Sequence, residues 1–594
     1  MSEAPATDPG DAEGATLWRW LERAAEIPAA GVRLLDRRES ERWLPWQEVL
    51  ERARAVGLGL RELETRPGDR IALVFPTGAE FLAAFFGALA AGAVPVPLYP
   101  PNRLGRLDEY RGRTTRMLRA ARTTLVLSDA RIHGALEKTA VEAGVRLGGL
   151  RLADLPSAER PSRGASSPSP SGPGDLALVQ FSSGTTAAPK PVALSHRAVT
   201  AQVRLLSRFW PDSGETTHSG VSWLPLYHDM GLIGAVFSAL ERPGVVTLLT
   251  PEAFLARPAL WLRAISDYRA TISPAPDFGY HHCLDRVRDR ELDGVDLSSW
   301  TVALDGAETV SADLLRAFAD RFRPRGFTSR SLTPVYGLAE ATLAVTFSPP
   351  REPWRSLVVD REALAAEGRV RPTRPGGRER EVVSVGRPLP GFEVEVRNDG
   401  EALPEDRVGR LWIRGPSLME GYLHRPDLTA KHLVRGWLDT GDLGFLHGGD
   451  LFVTGRAKDV VVVRGRNHDP QEIEAALRDL PGARPGSAIA VSRPRDRGGE
   501  GLLLLLEHHR KTSADERRAL PRAARAAVLE RIGVSPDVVE VLPPATLPRT
   551  SSGKLRRGEA LTRWTTGRLR SRDRAEPPRT EIQGTRSTAD GEGP

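Results

Sequence analysis

Val179-Gln-Phe-Ser-Ser-Gly-Thr-Thr-Ala-Ala-Pro-Lys190 runs a short apolar stretch into a hydroxyl-rich loop that ends on a lysine. Leu176 to Phe181 has the length and apolarity of a buried strand. Ser182, Ser183, Gly184, Thr185 and Thr186 then present four hydroxyls on a permissive backbone. Such a loop can wrap a polyphosphate: amides and hydroxyls hold the phosphate oxygens and Lys190 adds a compact positive charge. It is not a Walker A loop, because Gly553-Lys554 is followed by Leu555 and the residue five positions before Gly553 is Pro548. A plain turn after a strand has the same local composition, so the phosphate reading depends on the rest of the chain.

A length of 594 residues predicts more than one domain, since single cores rarely grow beyond about 300 residues. The single cysteine, Cys283, excludes an intramolecular disulfide, and the opening residues lack the charged and apolar regions of a signal peptide. A reducing cytoplasm is the expected location. The net charge of +7 and pI near 9.8 do not predict a nucleic-acid partner, because basic and acidic residues are interleaved along the chain. Of the 83 basic residues only six are lysine, at 138, 190, 431, 458, 511 and 554, which leaves 77 arginines. A lysine in such a chain marks a place where a compact ammonium is needed.

Residues 81–98 carry no charge. Gly92, Pro95 and Pro97 divide them into a small-residue helix and a short buried strand, so no transmembrane segment is predicted. Residues 1–14 read as disordered and 157–175 as a Pro/Ser/Gly-rich surface link. Trp223-Leu-Pro-Leu-Tyr-His-Asp-Met-Gly-Leu-Ile-Gly234 sets His228 between apolar runs. The His281-His282-Cys283 cluster has no second ligand pair at zinc spacing and is not a metal site. Leu304-Asp-Gly-Ala-Glu-Thr309, Val335-Tyr-Gly-Leu-Ala-Glu-Ala-Thr342, Trp437-Leu-Asp-Thr-Gly-Asp-Leu-Gly444 and Leu451-Phe-Val-Thr-Gly-Arg-Ala-Lys-Asp459 each follow an apolar segment. They read as loops at strand ends of an α/β domain, where ligands gather. From Val460 the pattern predicts a compact α+β unit: a strand to Val463, a helix opened by Asp469-Pro-Gln-Glu472, strands at 488–491, 502–506 and 538–541, and a helix over about 514–531. It ends on a Gly-containing loop that presents Lys554, and residues 566–594 read as a disordered tail.

With these segments in view, residues from about 15 to 565 resemble the adenylate-forming superfamily. The wording at Trp223 to Gly234, Gly306-Ala-Glu308, Tyr336-Gly-Leu-Ala-Glu-Ala-Thr-Leu-Ala-Val345 and Val463-Arg-Gly-Arg-Asn-His-Asp-Pro-Gln-Glu-Ile-Glu474 is similar to the fatty acyl-AMP ligases. The resemblance implies a large N-terminal adenylating domain, residues 15–455, of α/β layered subdomains with a small β-barrel-like subdomain. A small mobile α+β C-terminal domain, residues 456–565, would follow. It implies that a fatty acid attacks the α-phosphate of ATP to give acyl-AMP and pyrophosphate, and that the phosphopantetheine thiol of an acyl carrier protein then takes the acyl group. ATP and Mg²⁺ are the implied cofactors, and a monomer or weak dimer the implied state. Lys554 would bridge carboxylate and α-phosphate, Glu340 and Thr185 would hold Mg²⁺, and His228 would border the acyl site. Ser182, Ser183, Gly184, Thr185, Thr186 and Lys190 would cradle the phosphates. Gly306, Ala307 and Glu308 would line the adenine, Tyr336 with Gly337 would stack on it, and Asp442 and Arg456 would hold the ribose. Lys458 falls at the family's hinge, and Arg351 to Glu381 matches an extra segment thought to restrain the small domain and disfavour coenzyme A. The chain departs from the family at Ala187, Ala188 and Pro191, where glycine is usual, and at Ser273-Pro-Ala-Pro-Asp277. An acyl- or aryl-CoA ligase and a nucleotide-binding pseudoenzyme are the competing readings.

Overall fold

The computed structural model describes residues 15–101, 107–156, 171–182, 189–208, 219–463, 466–494, 500–550 and 554–569. The predicted disordered start at 1–14 and nearly all of the predicted tail lie outside them. Contacts divide the chain into a larger unit, Met1–Gln471 with Arg549–Lys554, and a smaller one, Glu472–Pro548 with Leu555 onward.

The larger unit is built on a nine-stranded sheet. Gly31–Leu35, Val245–Leu249, Ser219–Ser222, Ile272–Ala275, Val302–Asp305 and Leu332–Gly337 run parallel through its middle. Glu41–Pro45 closes one edge antiparallel, and Ala344–Phe347 with Arg387–Pro388 closes the other. The central strands are largely buried on both faces, as a helix-covered parallel sheet requires. Trp46, Trp261, Trp300 and Tyr280 are among the largest fully buried side chains beside it. Ser273-Pro-Ala275 belongs to an inner strand, where the Ser273 hydroxyl accepts from Trp261 Nε1 (2.7 Å) and donates to the Val221 carbonyl (2.5 Å).

A second parallel sheet orders Val94–Leu98, Arg70–Val74, Leu125–Ser128 and Gly149–Arg151. The uncharged run 81–98 resolves into the helix Ala79–Ala90 and the first of these strands. Among the described residues no helix is long and apolar enough to cross a membrane. An antiparallel sheet of six strands, among them Glu393–Asn398, Gly409–Arg414, Trp437–His447 and Asp450–Arg456, supplies the all-β part of the unit. A three-stranded antiparallel sheet joins Leu176–Phe181, Pro191–Ser195 and Gly421–Tyr422.

The smaller unit has the strands Ala483–Pro494, Glu500–His508 and Val538–Leu542, with the helices Ala514–Ile532 and Arg557–Thr565. Ser513 and Glu516 form a capping box at the first of these helices. Residues 456–471 group with the larger unit, because Arg380 pairs with the buried Asp469 (3.2 Å) and Arg466 pairs with Glu362 (3.3 Å). Residues 566–569 belong to the ordered small unit, since Leu569 is buried in its apolar core.

Candidate active site

Most predicted functional segments sit where a strand ends, but Trp437–Gly444, read from sequence as a loop, lies within the strand Trp437–His447, because cross-strand pairing with Asp450–Arg456 extends through it. Leu176–Phe181 leads out and Pro191–Ser195 leads back, and the Ser182 amide donates to the Lys190 carbonyl (3.2 Å) at the base of the loop. Ser183, Gly184, Thr185 and Thr186, with Ala187 and Ala188, lie outside the described residues. Pro191 opens the return strand, a place that tolerates a missing amide, and its carbonyl accepts from the Leu423 amide (2.8 Å).

Lys190 Nζ stands 5.2 Å from the centroid of the Tyr422 ring, within cation–π range. The Tyr422 hydroxyl donates to Glu340 Oε1 (2.9 Å), so one buried tyrosine links the loop lysine to the predicted metal carboxylate. Burial first, and then the Glu340 charge, push this hydroxyl far above the ordinary tyrosine range. Glu340 lies in the turn Ala339–Ala341 beyond the strand Leu332–Gly337, and its carbonyl accepts from the Met419 amide (2.8 Å). Gly337 is dictated by packing: a Cβ there would lie 1.8 Å from the Leu343 carbonyl oxygen.

Tyr336 donates its hydroxyl to Asp442 Oδ2 (2.8 Å), and Arg456 Nε reaches Asp442 Oδ1 (3.2 Å). Asp442 and Arg456 are cross-strand partners between Trp437–His447 and Asp450–Arg456, so a period-two register puts both on one face. Gly306, Ala307 and Glu308 follow the strand Val302–Asp305. A Cβ on Gly306 would meet Val335 at 2.7 Å. Ala307 has φ +68°, in the region that strains a residue with a Cβ, and its carbonyl accepts from Lys554 Nζ. Glu308 Oε2 accepts from the Phe278 amide (3.3 Å). Desolvation lowers the Lys554 ammonium from the ordinary lysine value, and the carboxylates of Glu308, Asp229 and Asp442 oppose that fall. Lys554, the Gly306–Glu308 loop, the Asp442–Arg456 pair and Asp229 therefore share one electrostatic neighbourhood.

His228 enters it through Asp229: His228 Nδ1 is 2.5 Å from Asp229 Oδ1, which also accepts from the Met230 amide (2.8 Å). Burial raises the Asp229 carboxyl, but His228 and that amide outweigh it and hold the group below the ordinary aspartate value. Lys458 is also lowered, chiefly by burial. A shallow groove lies between the segment Gly234–Ala239 and the strands 219–222, 245–249 and 272–275, lined by Gly234, Ala235, Ala239, Arg242, Ile272 and Pro274. His282 Nε2 contacts the Leu255 carbonyl (3.1 Å), Cys283 is buried, and the described residues hold no group of three or more potential metal ligands.

Sequence reasoning missed Tyr422 and left Asp229 without a role. Tyr422 lies 232 positions after Lys190, and only the pairing of Gly421–Tyr422 with Pro191–Ser195 joins them. Asp229 carried a signal, since a carboxylate next to a histidine in an apolar run needs a partner when buried.

A parallel sheet whose strand ends gather lysines, carboxylates and a strained carbonyl defines an α/β enzyme with a site suited to an anionic, nucleotide-like ligand. The AMP-binding enzyme model matches residues 17–423, and the chain belongs to that family. A Caulobacter vibrioides protein provisionally named an acyl-CoA synthetase is 35% identical over 530 residues, which are 88% of this chain and 91% of that protein. The medium-chain-fatty-acid–[acyl-carrier-protein] ligase JamA of Moorena producens is 34% identical over 545 residues, 89% of this chain and 90% of that protein. Among solved structures, one from work on the fatty acyl-adenylate ligases of E. coli and L. pneumophila superposes with a TM-score of 0.85 at 35% identity, covering 94% of this chain and 99% of that one.

Proposed function

We propose that this protein is a fatty acyl-AMP ligase: it activates a fatty acid with ATP to acyl-AMP and pyrophosphate, and passes the acyl group to the phosphopantetheine thiol of an acyl carrier protein. The observation that carries the reading is the Lys554 ammonium on the Ala307 carbonyl, amid Glu308, Asp229, Asp442 and Arg456. In-line attack by one anion on another needs positive charge aimed at the transferring phosphoryl group, and Lys554 and Lys190 are the compact charges available. The Asp442 carboxylate, fixed by Tyr336 and Arg456, suits ribose hydroxyls. The mostly apolar lining beside Gly234–Ala239 supports this region as the place for the acyl chain.

Mg²⁺ fits the donor chemistry. Glu340 offers a carboxylate that Tyr422 orients, and a cation held by one carboxylate plus substrate oxygens needs no larger protein cluster. Glu340, with Thr185 as its proposed partner, would hold the ion, which would supply charge neutralisation. We further assign the mobile small domain to begin near Arg456, with Lys458 as the pivot, and Arg351–Glu381 as the segment that restrains it.

The test is pyrophosphate release over carboxylic acids of graded chain length, followed by a comparison of free coenzyme A with holo carrier protein as acceptor. Acyl-AMP formation with transfer to the carrier protein alone is expected. Acyl-CoA formed as fast as acyl-AMP replaces the reading with a CoA ligase, and no pyrophosphate from any acid replaces it with a pseudoenzyme.

A further inference from the structure

Directly before the Gly306–Glu308 loop stands Asp305, 0% exposed at the end of its strand. Neither carboxyl oxygen receives an N–H or O–H donor from the described residues. An ionised carboxylate in that position carries a desolvation cost of several kcal/mol with nothing to offset it. The polar group it faces is another carboxyl, that of Asp277. The sheet brings the two together: Asp305 pairs in register with Ala275, and Asp277 begins the helix two residues further on. Two carboxyls hydrogen-bond only when one carries a proton.

The same helix start holds the loop on its far side. Asp277 Oδ1 accepts from the Ser311 amide (3.3 Å), the Phe278 amide donates to Glu308, and the Gly306 amide donates to the Ala275 carbonyl (3.4 Å). We propose that Asp305 and Asp277 share one proton as a buried carboxyl pair, and that this proton positions the Gly306–Glu308 loop, making loop geometry and nucleotide affinity dependent on pH. Asp305 and Asp277 are positioning residues and need not touch the ligand. With both ionised, the like charges repel across the joint between strand and helix, and the strained Ala307 loses its support.

The surroundings hold the pair in the protonated form. Burial, the Asp277 charge, the bond to Asp277 and the Glu308 charge all raise Asp305 well above the ordinary aspartate value of 3.8. Tyr280 and Cys283, on the helix with Asp277, are pushed up by burial and stay neutral. Tyr280 gives its hydroxyl to the Leu304 carbonyl (2.9 Å), and Lys554, the nearby cation, faces Glu308. A raised folded-state value means that the folded protein holds a proton the unfolded chain has lost. Stability from this pair is then complete at acid pH and falls as pH rises toward the raised value.

The proposal builds on the nucleotide reading of the loop, and its test separates the two. ATP affinity by equilibrium binding and the melting temperature are measured from about pH 5 to about pH 9 for wild type, Asp305→Asn, Asp277→Asn and Asp305→Leu. Either Asn variant carries a permanent N–H donor. Each should keep wild-type ATP affinity at neutral pH and flatten both pH profiles, while wild type loses about tenfold in the protonated form per pH unit above the titration. Asp305→Leu should weaken ATP binding at every pH. The proposal is overturned if both Asn variants keep the wild-type pH slopes, or if Asp305→Leu binds ATP as wild type does. Flattened melting profiles in a protein that binds no ATP would keep the carboxyl pair and discard the nucleotide assignment.

Discussion

Tyr422→Phe isolates one hydrogen bond. Phenylalanine keeps the ring beneath Lys190 and removes only the hydroxyl that donates to Glu340 Oε1 at 2.9 Å. A hydrogen bond to a charged acceptor contributes about 1.5–3 kcal/mol. Glu340 is only partly buried, so water can replace some of it and the lower end applies. If Glu340 holds Mg²⁺, Tyr422 orients the metal ligand, and losing such a partner typically costs about 10- to 100-fold in metal affinity. Discounting for exposure, the half-saturating Mg²⁺ concentration should rise by about tenfold, equivalent to roughly 1.4 kcal/mol. Near-normal pyrophosphate release should return at high Mg²⁺, with little change in melting temperature. The assay is the initial rate of pyrophosphate release titrated with Mg²⁺ at saturating ATP and fatty acid. An unchanged Mg²⁺ titration at unchanged maximal rate would refute the coupling of Tyr422 to a metal on Glu340. A fall in maximal rate that Mg²⁺ cannot restore would assign Tyr422 to Lys190 or to the phosphates.

Lys554→Ala should abolish acyl-AMP formation in isotope exchange while leaving ATP affinity within a few-fold, because the ammonium acts in the transition state; wild-type exchange would remove it from the chemistry. The desolvated Lys554 must be protonated to act, so the adenylation rate should fall as pH rises through a value below the ordinary lysine 10.5, and an alkaline limb at or above that value in the rate profile would contradict the assignment. Arg380→Met deprives the buried Asp469 of an ion-pair partner and should raise acyl-CoA formation relative to acyl-AMP if Arg351–Glu381 restrains the small domain, as measured by chromatography at matched adenylation rates; an unchanged product ratio would relieve Arg380 of that role.

The sequence was legible where chemistry and periodicity coincide. Strands at 176–181, 488–491, 502–506 and 538–541 lie within strands of the structure because uninterrupted apolar runs have few other ways to be buried. The helix over about 514–531 is realised as Ala514–Ile532, opened by a Ser513–Glu516 capping box that the composition alone did not suggest. What stayed hidden depends on register across long separations. Nothing near Tyr422 announces Glu340, and nothing near Asp305 announces Asp277; strand pairing sets Tyr422 beside the return strand from Lys190 and Ala275, two residues before Asp277, beside Asp305.

The use of lysine ties composition to mechanism. Arginine stays charged in any protein environment, whereas a buried lysine gives up its proton readily. Lys458 and Lys554 are both lowered by desolvation, and Lys554 rests on a neutral carbonyl. A polyphosphate arriving beside such a group favours the ammonium and pulls the proton back, so binding and protonation are linked. Above the pH range used to test the carboxyl pair, ATP binding should therefore take up protons, in Asp305→Asn as in wild type. Arginine at these positions would remove the linkage, yet its planar fork could not deliver a point charge to a single phosphoryl oxygen as the reaction advances. In a chain with 77 arginines, keeping lysine at 458 and 554 favours groups whose charge strengthens as the substrate anion arrives.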